Sequence, residues 1–269
     1  MGSSKKNSTD LFEAYYSNLF LSHWVELKAA LLMERNNYTC LQDGLSSCYY
    51  LDPASYEAAL SLTINEGDYI LDMCSAPGGK ALVLASRLKE NCKLLCNEIS
   101  AARRERLIKV INTIQNPILL SRIEITPYDA TKFGLHRPSS FDKILLDAPC
   151  SSEAHILASK KHYQIWSPNR IKVCAQKQFA LLASAFDALK PGGKIIYSTC
   201  ALLPDENDDV VFKLTKKRDG VELEDFSSQF GKKADNSLGT YTNFGIQILP
   251  TRENLVGPIY YAKIKKALS

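Results

Sequence analysis

The spacing of apolar positions changes near residue 69 and divides the chain into two regions. Before that point, residues 11–35 carry apolar side chains three and four positions apart, which predicts one or two amphipathic helices packed on a domain. Residues 36–51 predict a loop-like connector. Pro53 predicts the start of another helix, reaching about Leu62, because proline is favoured in the first helical turn.

From Tyr69 onward, short apolar runs alternate with helical periodicity, which predicts a parallel sheet covered by helices on both faces. The predicted strands are Tyr69–Met73, Lys93–Asn97, Arg122–Thr126, Lys143–Leu146, Lys194–Ser198 and a final antiparallel pair, Phe244–Leu249 and Pro258–Ile264. The predicted helices are 79–88, 101–114, 170–189 and 205–216. Residues 217–243 predict a charged loop with little fixed structure. We therefore expect an α/β fold with a mostly parallel, seven-stranded sheet.

Length and charge limit the organisation and the partners of the chain. The 269 residues, 45% of them hydrophobic, can bury one large core or a main domain with a small appendage. We expect an N-terminal helical extension over residues 1–50 and a main catalytic domain over residues 51–269. The net charge of +4 is compatible with nucleic-acid binding but is far below that of a dedicated nucleic-acid-binding arm.

The eight cysteines are too sparse for a disulfide scaffold, and no Cys-x-x-Cys motif occurs. Cys92 and Cys96 lack a second pair or a nearby histidine, so we expect no metal site. Buried, reduced thiols are expected at Cys40, Cys48, Cys92, Cys96 and Cys174. This predicts a reducing compartment. No apolar run approaches the ~20 residues of a membrane span, and residues 1–10 lack a secretory signal. A bacterial cytoplasm fits best, with an organelle matrix as the alternative.

The segment Asp72–Lys80 (DMCSAPGGK) follows the first predicted strand and opens a helix. Glycines there let the backbone approach a ligand, and helix amides favour a carboxylate or phosphate. A P-loop would need glycine at position 74 and serine or threonine at position 81, where this chain has Cys74 and Ala81. The Gly-x-Gly-x-x-Gly pattern of dinucleotide sites is absent. S-adenosylmethionine is the ligand class that remains.

Acidic residues end successive predicted strands. Glu98 lies twenty residues after Gly78, where a carboxylate can accept two hydrogen bonds from ribose hydroxyls. Asp129 lies where it could contact an adenine edge, and Asp147 ends the fourth strand. Any one of them could instead be a helix N-cap or a turn residue. The set of three favours a ligand site, because carboxylates are rarely buried without partners.

Cys150 and Cys200 follow the fourth and fifth predicted strands, and carboxyl ends of strands are where ligands bind in open α/β sheets. Methyl transfer to carbon 5 of cytosine needs a nucleophilic thiolate, an acid near nitrogen 3 and a group that promotes elimination. Lys80 could supply the cation that favours a thiolate. The chemistry by itself leaves open which thiol attacks.

Three motifs carry a family resemblance: Cys74-Ser-Ala-Pro-Gly-Gly-Lys80, Asp147-Ala-Pro-Cys150-Ser-Ser, and Tyr197-Ser-Thr-Cys200 followed by Glu206-Asn207. From about Tyr49 to Lys263 the chain resembles the Sun-domain (NOL/NOP/Sun) family of RNA cytosine-5 methyltransferases. The resemblance implies a Rossmann-like, S-adenosylmethionine-dependent methyltransferase fold. It makes Cys200 the nucleophile and Cys150 the thiol that promotes product release, while Asp147 supports the base beside the cofactor. The implied cofactor-binding residues are Cys74, Ser75, Ala76, Pro77, Gly78, Gly79, Lys80, Glu98, Arg103, Asp129 and Asp147.

Within that family, the short chain and the stretch Ser151–His155 look most like the mitochondrial small-subunit rRNA branch. That branch often has Asp-Arg-His where this chain has Glu153-Ala154-His155. The resemblance implies RNA, above all rRNA or a ribosomal subunit, as the partner. We expect recognition by the N-terminal helices, by the basic and aromatic loop 151–169, or by a protein partner. The alternatives are a tRNA or DNA substrate, or a non-catalytic RNA-binding assembly factor.

Overall fold

The N-terminal region of the computed structural model forms three helices and a hairpin. The structure describes residues 8–224 and 239–268. The first elements are α1 (Ser8–Phe20), α2 (His23–Leu32), β1 (Thr39–Leu41), β2 (Tyr49–Leu51) and α3 (Pro53–Leu60). The prediction of N-terminal helices is confirmed. The connector is not a plain loop, because β1 and β2 pair antiparallel within it.

The remainder alternates strands and helices as expected. Its elements are β3 (Tyr69–Asp72), α4 (Gly79–Ala85), β4 (Lys93–Asn97), α5 (Ala101–Ile111), α6 (Pro117–Leu120), β5 (Ile123–Thr126), α7 (Phe133–His136), β6 (Phe141–Asp147), α8 (Glu153–Ala158), α9 (Lys160–Gln164), α10 (Asn169–Ala188), β7 (Leu189–Thr199), α11 (Asp208–Lys217), β8 (Val221–Leu223), β9 (Thr240–Tyr241), β10 (Ile246–Ile248) and β11 (Ile259–Lys266). Two short 3₁₀ turns, Ala130–Lys132 and Pro204–Glu206, precede α7 and α11.

One sheet runs in the order β5-β4-β3-β6-β7-β11-β10-β9, and β8 pairs with β11. Its first five strands are parallel, and β10 and β11 form the predicted antiparallel pair. The described sheet therefore has nine strands, not seven. The two missed strands, β8 and β9, are three and two residues long, too short to show an alternating pattern. They fall in the segment 217–243, which was predicted as a loop; its residues 225–238 lie outside the described residues.

Apolar side chains cover both faces of the sheet because neighbouring strand residues point to opposite sides. In β3, Ile70 packs with α3 and α4, whereas Leu71 packs with α10 and α11. Two buried layers result, as a parallel sheet with helices on both faces requires. This arrangement leaves the carboxyl ends of the strands as the edge on which loops can present polar side chains.

A third apolar cluster joins the N-terminal helices to residues 151–171. Phe12 and Tyr16 of α1 and Trp24 of α2 pack with Ile156 of α8 and with Trp166. The segment predicted as a surface loop is thus largely helical. Trp166, an aromatic residue of the segment 151–169, is only 2% exposed because α1 covers its ring, so it does not offer its face for base stacking. The predicted domain boundary after residue 50 falls inside β2, and the two-domain division stays a prediction.

The cysteines differ in part from expectation. Cys92 and Cys96 are buried free thiols as predicted, and Cys174 is free but half-buried. The sulfur atoms of Cys40 and Cys48 are bonded, so the prediction of reduced, buried thiols is wrong for this pair. The β1–β2 hairpin brings their Cα atoms to 5.8 Å, within disulfide range. Across residues 8–224 and 239–268, no helix is long and apolar enough to span a membrane.

Candidate functional site

The carboxyl ends of four adjacent strands, β4, β3, β6 and β7, form the site. Asp72 ends β3, Glu98 follows β4, and Asp147 ends β6. The loops after β6 and β7 bring Cys150 and Cys200 to the same edge. The sequence predicted site roles for Glu98, Asp147, Cys150 and Cys200 but not for Asp72, and the strand order makes all of them neighbours.

The glycine loop between β3 and α4 needs two residues without a Cβ. Gly78 has φ +120°, a conformation that other residues rarely adopt, and a Cβ there would lie 2.8 Å from Val110 Cγ1. A Cβ at Gly79 would lie 2.7 Å from Cε1 of Tyr49, which β2 places over the loop. Arg103 donates from Nη2 to the Ala76 carbonyl at 2.7 Å. The two glycines therefore let the loop and the start of α4 pack closely against Val110 and Tyr49.

Glu98 is a buried carboxylate with spare hydrogen-bonding capacity. It is 3% exposed, accepts a hydrogen bond from the Ser100 amide at 2.9 Å and pairs with Arg103 Nη1 at 3.2 Å. A carboxylate has about four acceptor positions, so further donors can still bind it. The Arg103 guanidinium compensates the negative charge of this buried carboxylate.

Asp129 has a local partner. Its Oδ1 accepts from the Thr131 amide at 3.1 Å and from the Thr131 hydroxyl at 2.7 Å, which caps the first 3₁₀ turn. These hydrogen bonds lower the pKa of Asp129. The capping alternative thus describes its contacts in this structure, and contact with a ligand stays a prediction.

Asp72 was noted in the sequence only as the start of the glycine motif. It is 1% exposed, and its Oδ2 accepts from the Ser75 hydroxyl at 2.7 Å. Its Oδ1 is buried with no partner in the described part of the chain. Burial raises the pKa of Asp72 to about 7, and the nearby Asp147 carboxylate adds to the rise. This Oδ1 atom can therefore accept one further hydrogen bond. The signal was available: like Asp147, Asp72 is an acid that ends a strand.

Lys80 and Asp147 form the central ion pair, with Nζ 2.7 Å from Oδ2. Ser198 of β7 donates to the other oxygen, Oδ1, at 3.0 Å. Burial alone would lower the pKa of Lys80, but the Asp147 carboxylate outweighs it and raises the pKa. Lys80 therefore stays charged and holds Asp147 in one orientation.

The two thiols are in contact and are not equivalent. Cys150 Sγ lies 2.9 Å from Cys200 Sγ, and the Ser152 hydroxyl lies 3.5 Å from Cys200 Sγ. The hydrogen bond from Cys150 lowers the pKa of Cys200. The same bond, together with burial, raises the pKa of Cys150. These directions favour Cys200 over Cys150 as the thiol that ionises first.

A cavity of about 370 Å³ joins these groups, within the usual size range of ligand pockets. It is lined by Lys80, Asp147, Cys150 and Cys200, the four residues predicted to be catalytic, and by Arg103. Five of the predicted site residues therefore line one cavity. The others, Cys74–Gly79, Glu98 and Asp129, are not part of its lining, and Asp129 lines a separate cavity beside Tyr128 and Lys132.

Glu206 and Gln178 hold the loop that carries Cys150, a role that was not predicted from the sequence. We call the loops after β6 and β7, which carry Cys150 and Cys200, the thiol loops. Glu206 Oε2 accepts from the Ser151 amide at 2.9 Å and from Gln178 Nε2 at 2.7 Å, and Gln178 Nε2 also donates to the Pro149 carbonyl at 3.0 Å. Both peptide neighbours of Cys150 are fixed in this way. Burial raises the pKa of Glu206 to about 7. Its place in the Glu206-Asn207 motif was the available signal.

Asn207 fixes the two residues that flank the other thiol, Cys200. Thr199 donates from Oγ1 to Asn207 Oδ1 at 2.5 Å, and Asn207 Nδ2 donates to the Ala201 carbonyl at 3.0 Å. Thr199 and Ala201 flank Cys200. The Cys200 turn is therefore fixed on both sides by a side chain 2% exposed.

The sheet with this strand-end site has the fold of S-adenosylmethionine-dependent methyltransferases. A methyltransferase homologue from Pyrococcus horikoshii superposes with a TM-score of 0.68 over 96% of this chain and 95% of that one, at 20% identity. NSun6 from Pyrococcus horikoshii, solved with SFG, an S-adenosylmethionine analogue, gives a TM-score of 0.68 at 26% identity, covering 88% of this chain and 57% of that one.

The family profile described as 16S rRNA methyltransferase RsmB/F matches residues 59–265, and the chain belongs to this family. The resemblance to the Sun-domain enzymes is thereby confirmed. A zebrafish protein named mitochondrial tRNA (cytosine(34)-C(5))-methyltransferase is 32% identical over 82% of this chain and 61% of its own length. Escherichia coli ribosomal RNA small subunit methyltransferase F is 37% identical over 71% of this chain and 41% of its own length. The chain thus spans less than two thirds of these relatives.

Proposed function

We propose that this chain transfers a methyl group from S-adenosylmethionine to carbon 5 of cytosine in RNA, with small-subunit rRNA as the substrate. The contact between Cys150 and Cys200 carries the proposal. A binding module has no use for two thiols 2.9 Å apart in a cavity that also holds Lys80 and Asp147.

The cofactor site fits S-adenosylmethionine. Glu98 has acceptor positions for two ribose hydroxyls, and Oδ1 of Asp72 is buried without a partner among the described residues. When bound, the cofactor supplies an electrophilic methyl group. The residues that would hold it are the Cys74–Lys80 loop together with Glu98, Arg103, Asp129 and Asp147.

In the proposed mechanism the Cys200 thiolate adds to carbon 6 of the flipped-out cytosine and forms a carbon–sulfur bond. This addition makes carbon 5 nucleophilic. Asp147, held by Lys80 and Ser198, supports the base. After methylation a base takes the carbon 5 proton and the C–H electron pair re-forms the C5–C6 double bond. The carbon–sulfur bond breaks in the same step, which returns its electron pair to Cys200. Cys150, beside the Cys200 sulfur, promotes this release.

RNA contact is proposed for exposed basic residues beside the site. Lys160 and Lys161 of α9 and Arg170 of α10 are exposed, and Arg170 donates to the Ser151 carbonyl at 3.3 Å. These side chains can pair with phosphates. A protein partner that helps to target the RNA is proposed as well. The named relatives come from bacteria and mitochondria, which suits the two compartments expected from the sequence.

A transfer assay tests the activity and the substrate together. The protein is incubated with labelled S-adenosylmethionine and, separately, with naked small-subunit rRNA, assembled small subunits and tRNA, and the RNA is digested to nucleosides. We expect labelled 5-methylcytosine from one of the two rRNA samples. Label from tRNA alone would favour the second candidate, which the zebrafish relative supports. No 5-methylcytosine from any RNA would contradict the enzyme function, and the Cys200→Ser protein is the matched blank.

A further inference from the structure

Glu153, the first residue of α8, is a fully buried carboxylate without a cation. It is 0% exposed, and no lysine or arginine forms an ion pair with it within residues 8–224 and 239–268. A buried charge costs several kcal/mol unless hydrogen bonds compensate it. Burial accordingly raises the pKa of Glu153.

Three donors converge on this carboxylate from three different parts of the chain. Oε1 accepts from the Tyr16 hydroxyl of α1 at 2.7 Å and from the Ser151 hydroxyl at 2.6 Å, and Oε2 accepts from the Leu202 amide at 3.3 Å. All three are donors to Glu153, so the site suits the ionised form, which accepts only.

Two of the donors belong to the thiol loops. Ser151 directly follows Cys150, and Leu202 comes two residues after Cys200. Glu153 is thus a direct side-chain link between the two loops. Glu206 and Asn207, by contrast, fix the residues flanking one thiol each.

We propose that Glu153 is a positioning residue that holds Cys150 and Cys200 at hydrogen-bonding distance, and that Tyr16 makes helix α1 part of this arrangement. The use of the thiol pair in methyl transfer rests on the proposed function; the positioning itself does not. Because Tyr16 lies in the apolar cluster of α1, α2 and Trp166, the packing of the N-terminal helices is coupled to thiol reactivity.

The charged and titratable groups around the thiol pair come from several elements. They are Lys80, Asp147, Glu153, Cys174, Tyr197 and Glu206. Among them, the negative charge of Glu153 by itself raises the pKa of Cys200, whereas its positioning of Cys150 would lower that pKa. The two effects have opposite signs, so one measurement separates them.

The test measures the rate at which iodoacetamide carbamidomethylates Cys200 between pH 6 and 10, without RNA or cofactor. Site-resolved mass spectrometry quantifies the modified residue. In Glu153→Gln an NH2 group replaces one of the two carboxylate oxygens. This group cannot accept a hydrogen bond from the donor that faces it, so at least one link is lost and we expect the two loops to separate. We expect the apparent pKa of Cys200 to rise and its alkylation at pH 7 to slow about tenfold, which corresponds to one pKa unit. A lower or unchanged pKa would overturn the proposal, since a charge effect alone lowers it.

Tyr16→Phe removes one donor and keeps the charge, so it covers the case in which Glu153→Gln does not fold. We expect a shift in the same direction, smaller in size, with a cooperative thermal transition preserved. Tyr163→Phe is the matched control, because its hydroxyl bonds Glu13 of the same helix α1 and not the thiol loops. An equal shift in Tyr163→Phe would mean general loosening of α1 and would refute the positioning role. Because no RNA is present, failure of the methyl-transfer assay would leave this result unaffected.

Discussion

Cys150 and Cys200, fifty residues apart in sequence, place their sulfur atoms 2.9 Å apart. The contact follows from the parallel pairing of β6 with β7, which aligns Asp147 with Ser198 and so brings the loops after them side by side. It also shifts the two pKa values in opposite directions, down for Cys200 and up for Cys150. One thiol that ionises more readily than its neighbour suits a division into nucleophile and releasing group.

Replacing the nucleophile should end the reaction at its first step. We expect Cys200→Ser to abolish both methyl transfer and the covalent protein–RNA adduct, because a serine hydroxyl is not ionised near neutral pH. Adducts are measured as slow bands on a denaturing gel with 5′-labelled RNA. A Cys200→Ser protein that still forms adducts would reassign the nucleophile to Cys150.

Removing the second thiol should stop the reaction later. In Cys150→Ala the adduct can form, but its release is impaired, so we expect a protein–RNA conjugate to accumulate while turnover falls. The conjugate is identified as a slow gel band that nuclease removes and that is absent from the Cys150→Ala/Cys200→Ser double variant. Normal turnover by Cys150→Ala would contradict the proposed role of Cys150 in release.

The pH dependence of adduct formation should report the thiol contact. The contact with Cys150 lowers the pKa of Cys200, so its thiolate is present at a lower pH than it would be without that contact. The rate of adduct formation should fall on the acid side as this thiolate is protonated. In Cys150→Ala the hydrogen-bond donor is lost and burial remains, so we expect the acid limb to move to higher pH. Single-turnover adduct rates measure this; an unmoved limb would show that Cys150 does not tune Cys200.

The Lys80–Asp147 pair should matter for activity and not only for stability. In Lys80→Met, Asp147 loses the cation that orients it, and we expect adduct formation to slow about 100-fold, as small misplacements in active sites can cause. Lys190→Met is the control: Lys190 also pairs at 2.7 Å with an aspartate of β6, Asp142, but at the other end of the strand. That variant should retain activity. Equal loss in both variants would point to a general effect on β6.

The N-terminal cluster should contribute measurably to stability. Trp166 is 2% exposed against Phe12 and Tyr15, whereas its neighbour Ile165 is 68% exposed. We expect Trp166→Ala to lower the free energy of unfolding by about 3–5 kcal/mol. Ile165→Ala should change it by less than about 0.5 kcal/mol, as exposed positions usually do. Urea denaturation measures both, and a small effect at Trp166 would mean that α1 does not pack against it in solution.

Local pattern predicted elements well where apolar runs had clear ends. The β4 strand, Lys93–Asn97, agrees residue for residue with its prediction. The β7 strand begins at Leu189, five residues before its predicted start, because Pro191, Gly192 and Gly193 interrupt the apolar pattern. The pairing of β6 with β7 shifts register at this point. The irregular pairing can accommodate proline and glycine residues that would otherwise indicate a turn.

The sequence by itself determined the parallel sheet, the glycine loop after β3, and the acids and thiols at strand ends, because periodicity and motif spacing are local properties of the chain. Only the tertiary structure decided that the two thiols are in contact, that Glu153 joins both thiol loops to Tyr16, and that Trp166 is buried. Each of these depends on contacts between residues far apart in the chain. Burial, hydrogen-bond partners and pKa shifts arise from such contacts, and no short stretch of sequence contains them.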